Sequence, residues 1–209
     1  MPSDSVLIFT LTVFLTSIIP GPSMLLALTH GALYGAKKTL ISALGNVTAT
    51  FLQALISAAG LTALLMASGA AFEIIKWLGA AYLIYMGIML VRSSGTHSTD
   101  GIQQEPTALG SPGRLFTQAF LVTAGNPKAI IFFGAVFPQF IDSSLPVVPQ
   151  TMVLISICTV CAFICYMTYG IGGQKVSALL TNSPIDIYVK RATGTTFIGS
   201  GVALAFTDK

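Results

Sequence analysis

The chain has 209 residues, 54% hydrophobic and only 8% charged, with ten Lys and Arg against seven Asp and Glu for a formal charge of +3. A soluble domain carries about a quarter charged residues, so with a mean hydropathy of +0.82 most of this chain cannot face water. The composition implies an integral membrane protein of one domain, 1–209, and ten scattered basic residues form no basic face for nucleic acid.

Crossing about 30 Å of hydrocarbon takes roughly 20 apolar residues. The uncharged runs 5–36, 39–72, 77–91, 115–141 (interrupted by Lys128), 143–174 and 192–207 predict six transmembrane helices. The first run has no Lys or Arg before it and is about twice the length of a signal h-region, so it reads as a retained helix. It contains Ile19-Pro20-Gly21-Pro22-Ser23. Two prolines remove two backbone donors and Gly21 relaxes the chain between them, which predicts a broken helix rather than a packing kink. Within hydrocarbon such a break persists only against protein or beside a polar cavity.

On the second span Asn46 and Gln53 lie seven apart, on one face, where they can meet a substrate or bond a neighbouring helix. The third span is short, with Lys76 and Arg92 able to snorkel from its ends. Glu73 and Lys76, three apart, read as an interfacial ion pair or, more sharply, as a gate or proton-linked site. Residues 93–113, rich in Ser, Thr, Gly and Pro, form a flexible connector between halves 1–92 and 114–209.

The fourth span carries Asn126-Pro127-Lys128. Lys128 lies about 20 Å by helical rise from either end of the run, near the midplane, where a Lys costs roughly 2.5–3.5 kcal/mol and faces a cavity or partner. The plainer alternative starts a helix here, capped by Asn126 with Pro127 in its first position, but 129–141 is too short to span. Asp142 marks the outer boundary of this helix and is a candidate for proton coupling. On the fifth span Cys158, Cys161 and Cys165 form one stripe. No other run supplies a Cys for a metal site, so packing is the simpler reading; a membrane thiol or redox protein is the functional alternative. Gly35-Ala36-Lys37-Lys38-Thr39 lacks the spacing of a phosphate loop. No enzyme motif, metal or cofactor is expected.

Loops after the first, third and fifth spans hold Lys37, Lys38, Arg92, Arg114, Lys175, Lys190 and Arg191, against Lys76 and Lys209 on the other side. The positive-inside rule places those seven in the cytoplasm and both termini outside. Three helices per half require a duplication to be inverted. Thr16-x-x-x-Pro20 matches Thr123-x-x-x-Pro127, and Lys76-x-x-Gly79 matches Arg191-x-x-Gly194. Paired breaks near the midplane point to a secondary-transport site, built from Pro20, Gly21, Pro22, Ser23, Asn126, Pro127 and Lys128, with Asn46 and Gln53 beside it. The N–H groups after Pro22 and the Lys128 ammonium suit a carboxylate, and carbonyls near Ile18–Pro20 or Gly125 suit an amino group. Gly31-x-x-x-Gly35 permits a close helix contact, within the chain or in a homodimer.

Pro20-Gly21-Pro22, the block from Phe72 through Trp77-Leu78-Gly79-Ala80-Ala81-Tyr82 to Gly87, and Asn126-Pro127-Lys128 followed by Phe137-Pro138-Gln139-Phe140-Ile141 resemble the LysE/RhtB family of bacterial amino-acid exporters. The resemblance covers essentially the whole chain and is nearest the branch handling homoserine, homoserine lactone and threonine. It implies efflux across the inner membrane driven by the proton motive force. Asn46 and Thr48 stand where that pattern has Gly or an aliphatic residue. The single intramembrane Lys, with no acid at matching depth, points to neutral substrates.

Overall fold

A computed structural model describes residues 3–59, 77–78, 80–85, 87–88, 91–92, 110–142, 144–179 and 185–206. Glu73, Lys76 and most of the 93–113 connector lie outside the described residues. Those described are helical, with no strand among them. In order they form α1 (Ser3–Ile18), α2 (Pro22–Ala58), α3 (Pro112–Ala124), α4 (Pro127–Ile131), a π-turn (Phe132–Val136), a 3-10 turn (Phe137–Phe140), α5 (Val147–Leu179) and α6 (Ile185–Ala205).

Asp4 sits in the first turn of α1, where a carboxylate complements the helix dipole. The helix stops at Ile18 because Pro20 cannot donate to Thr16 and crowds the residue before it out of the α region. Phe9 and Val13, four apart, are buried, while Leu7, Ile8, Leu11, Phe14 and Leu15 point outward, as lipid contact requires.

Pro22 opens α2, with Gly21 as its extended N-cap. Gly35 has φ +77° within α2, a conformation that only Gly adopts without strain. The chain reverses there. Along a straight helix Ser23 and Asn46 would stand about 35 Å apart, yet both bond the hydroxyl of Thr123. The arms 22–34 and 36–58 therefore run back along each other, and the expected loop near Lys37–Lys38 is this tight turn. Thr39 Oγ1 donates to Gly35 O at 2.9 Å and Gln174 Oε1 accepts from Ala36 N at 2.6 Å, tying the turn to α5.

The fourth predicted span begins as α3, breaks at Gly125–Asn126, and resumes from Pro127 at an angle of 51°. Here α4, the π-turn and the 3-10 turn continue one path with changing pitch. By length and composition, residues 147–178 can cross a membrane; α2 contains a comparably apolar stretch but is divided by its reversal at Gly35, and the bent pair is a broken span or re-entrant loop.

The hairpin of α2 packs most extensively on α5 and then α3, and small residues permit that approach. A Cβ on Gly31 would run into the backbone of Gly170, and one on Gly45 into that of Phe116. Gly31 thus serves a contact within the chain. Two apolar clusters result. One joins Met24, Leu26, Ala43, Val122, Cys165 and Tyr166; the other joins Phe9, Val13, Phe132, Phe137, Leu154 and Cys158.

Candidate functional site: a polar cavity between two helix breaks

Each proline deletes the hydrogen bond to the carbonyl four residues earlier. Pro20 and Pro22 therefore strip Thr16 and Ile18, and Pro127 strips Thr123. Freed carbonyls call for replacement donors, and other helices supply them to Ile18 and Thr123. Tyr169 of α5 donates its hydroxyl to Ile18 O at 2.8 Å, and Lys128 Nζ reaches across to Ile19 O, also at 2.8 Å. In the second break Gln53 Nε2 approaches Thr123 O at 3.4 Å and Ala124 O at 3.3 Å, while Asn126 N turns back to Thr123 O. The two breaks are thus connected, with the charged end of one seated on the backbone of the other.

Asn126 is at once the cap of α4 and part of the site. Its Oδ1 accepts from Lys128 N at 3.1 Å, as an N-cap does, and its Nδ2 donates to Ser23 Oγ at 3.0 Å. Pro127 takes the first helical position. The helix start and the break beside the cavity are one feature rather than alternatives. Gly21 brings the backbone close to the ammonium, since a Cβ there would stand 3.5 Å from Lys128 Nζ.

Beside these contacts lies a cavity of about 70 Å³ lined by Thr16, Ser17, Ser23, Asn46, Thr50, Thr123, Asn126 and Lys128 on its polar side. Val13, Met24, Phe132, Phe133, Cys158 and Ala162 form its apolar side, where the two clusters meet. Of the residues named from the sequence, Ser23, Asn46, Asn126 and Lys128 line it together, while Pro20, Gly21, Pro22 and Pro127 do not. Gln53 is not among the lining residues and acts on the break carbonyls behind it. Of the carbonyls expected to receive an amino group, those of Ile18 and Ile19 already hold Tyr169 and Lys128.

Tyr169 was not singled out from the sequence, although a phenol within an uncharged run signals a hydroxyl in need of a partner. Tyr169→Phe keeps the ring and leaves Ile18 O without its donor. We expect it to cost about 1–3 kcal/mol of stability, measurable as a lower melting temperature of the purified protein in detergent.

Asp142 lies outside the cavity, fully exposed in the loop before α5. Its Oδ1 accepts from Ser144 Oγ at 2.6 Å and Ser144 N at 2.9 Å, and these bonds hold its carboxyl below the usual range. Buried Gln150 secures the same loop through Asp142 N and three carbonyls. Cys158, Cys161 and Cys165 are buried free thiols inside the apolar clusters, and no group of three or more metal-ligating side chains occurs among the described residues.

Apolar helices broken against a shared cavity are an arrangement found in membrane transport proteins. The chain belongs to the LysE type translocator family, whose model matches residues 14–208. It is 33% identical over 198 residues to a homoserine/homoserine lactone efflux protein of Salmonella typhimurium, with 94% of each chain covered. It is 30% identical to an uncharacterized membrane protein of Vibrio cholerae, over 95% of each chain. Against a leucine efflux protein of Salmonella choleraesuis it is 27% identical, covering 90% of this chain and 88% of that one. No solved structure matches the chain.

Proposed function

We propose that this translocator is a secondary active exporter of small neutral amino acids or their derivatives, homoserine, homoserine lactone and threonine-like compounds among them, driven by the proton motive force across the bacterial inner membrane. The observation that carries the reading is the Lys128 ammonium held on Ile19 O in the wall of a cavity whose other lining residues are uncharged. A Lys has three donors, so two remain for a substrate carboxylate. The first N–H groups of α2, after its Gly21 cap, have no carbonyl one turn back and add positive potential. Names of relatives, which include homoserine and leucine efflux proteins, agree with a neutral substrate. The apolar wall of Val13, Met24, Phe132 and Phe133 suits an uncharged side chain.

The proposal includes six spans in two inverted three-helix halves. Thr16/Pro20 and Thr123/Pro127 support it by acting alike, each proline freeing the carbonyl of a Thr that lines the cavity. Gly87 and Gly194 approach backbone to backbone, pairing the third and sixth predicted spans. Cytoplasmic placement of the seven basic loop residues, and of both termini outside, is supported by the Gly35 turn. There Lys37 and Lys38 share one end of the molecule with Gln174 and its neighbour Lys175.

Among the coupling and gating candidates Glu73, Lys76 and Asp142, the last is poorly suited. A proton carrier needs a pKa near the working pH, whereas the Ser144 bonds keep the Asp142 carboxyl ionised as the pH falls toward the ordinary carboxylate range. Asp142→Asn should therefore leave the pH profile of transport unchanged, which leaves Glu73 and Lys76 for coupling. A displaced profile would put the proton on Asp142. The whole reading is tested with purified protein in vesicles, where an imposed proton gradient should drive labelled homoserine. Absence of flux across a panel of neutral amino acids would overturn it.

A further inference from the structure

The polar wall of the cavity is a hydrogen-bond chain whose direction can be followed from one end. Asn126 Oδ1 accepts from the Lys128 backbone N–H, which turns its Nδ2 onto Ser23 Oγ. Thr123 Oγ1 donates to the same Ser23 oxygen at 3.2 Å. With its hydrogen committed there, the Thr123 oxygen can only accept, and Asn46 Nδ2 donates to it at 2.7 Å. The consequence falls on the other end of the Asn46 amide. Its Oδ1 has no partner among the described residues, although Asn46 is only 2% exposed and lines the cavity.

Gln53, two turns further along the same helix face, shows the same polarity. Its Nε2 is spent on the carbonyls of Thr123 and Ala124, and its Oε1 is also unpartnered. Both amides have had their donors taken by the second break. A buried acceptor without a donor is costly, and a ligand that brings the donor removes that cost. The Ser and Thr hydroxyls of the wall can donate or accept and so discriminate little. Asn46 Oδ1 can only accept.

We propose that Asn46 Oδ1 is the specificity-determining acceptor of the cavity, selecting substrates with a hydroxyl on the side chain over aliphatic ones of the same shape. This rests on the reading of the chain as an amino-acid exporter with the carboxylate at Lys128. The α-ammonium stays with that carboxylate, being one carbon away from it. Asn46 stands at the other end of the chain running through Asn126, Ser23 and Thr123, so the group that meets it is the side-chain terminus. An aliphatic terminus would leave the oxygen unpaired, whereas a hydroxyl satisfies it, and sites built to bond a hydroxyl reject analogues lacking one.

Homoserine and norvaline form a suitable pair, since one carries a hydroxyl where the other carries a methyl. Purified protein in vesicles is assayed with each labelled compound, and the ratio of the two fluxes is taken because it does not depend on the amount of active protein. Wild type should favour homoserine by roughly tenfold or more. Asn46→Leu should bring the ratio to one or below. Equal transport of both compounds by wild type, or an unaltered ratio in Asn46→Leu, would overturn the proposal. If Asn46→Leu does not fold, the wild-type ratio and Asn46→Ser decide it: Asn46→Ser, whose shorter side chain falls back from the cavity, should lose most of the preference, and full retention would refute the role. Failure of wild type to carry any neutral amino acid is a separate result, removing the exporter reading itself.

Discussion

Lys128→Ala is expected to lower gradient-driven flux of the preferred amino acid by at least about tenfold, the scale of one lost charge-assisted hydrogen bond. The ammonium bonds Ile19 O and reaches it from the opposite break, so its removal has two effects. It deletes the cation proposed to hold the carboxylate, and it returns a carbonyl of the first break to an unsatisfied state in a site where water is scarce. Thermal unfolding separates the two, because an unsatisfied carbonyl lowers the melting temperature whereas a lost substrate cation does not, and Lys128→Met, which lacks both charge and donor but fills much of the same space, removes the packing loss from the comparison. Loss of flux with a little-changed melting temperature in Lys128→Met would place the effect on binding. Lys128→Arg should not restore flux fully, since a planar fork does not reproduce a compact ammonium beside the Gly21 backbone. Wild-type flux in Lys128→Ala would remove Lys128 from the site.

The positions of both breaks were legible from proline alone, because a missing N–H is a property of the residue and needs no tertiary information. The loop at Lys37–Lys38 was legible from charge, and Gly35 supplies the φ of +77° that makes it a turn. The Thr-x-x-x-Pro match was also visible, but its physical meaning was not. Read as a trace of duplication, it is also the i−4 relation by which a proline frees a threonine carbonyl. The donors that answer those carbonyls could not be read locally. Tyr169 lies 151 residues from Ile18, and Gln53 lies 70 from Thr123, so the pairings exist only once α5 and the α2 hairpin are packed. Asn46 and Gln53 were found by their shared face, and each bonds a neighbouring helix, with Asn46 lining the cavity as well. The spacing that revealed them carried no information about which end of each amide would be used.

Packing of the hairpin on α5 sets up the second large effect. Gly170, Gly172 and Gly173 occupy one turn of α5, yet their surroundings differ. A Cβ on Gly173 would meet the backbone of Leu28 and Ala32, and one on Gly170 would meet the Thr39 side chain, while one on Gly172 would meet nothing within 4 Å. Backbone cannot step aside as a side chain can, so Gly173→Ala must push α5 away from the 22–34 arm that carries Ser23. Overpacking of this kind costs about 1–3 kcal/mol or more. Gly172→Ala makes the same chemical change and adds up to about 1 kcal/mol of helix propensity with no steric charge against it. Thermal unfolding in detergent should therefore show Gly173→Ala well below wild type and Gly172→Ala at or above it. Flux should fall in Gly173→Ala for a further reason: moving α5 carries Tyr169, four residues earlier, away from Ile18 O and loosens the break against which Lys128 is held. Equal melting temperatures for the two variants would mean that the hairpin and α5 do not approach as closely as the Gly31 and Gly173 contacts require.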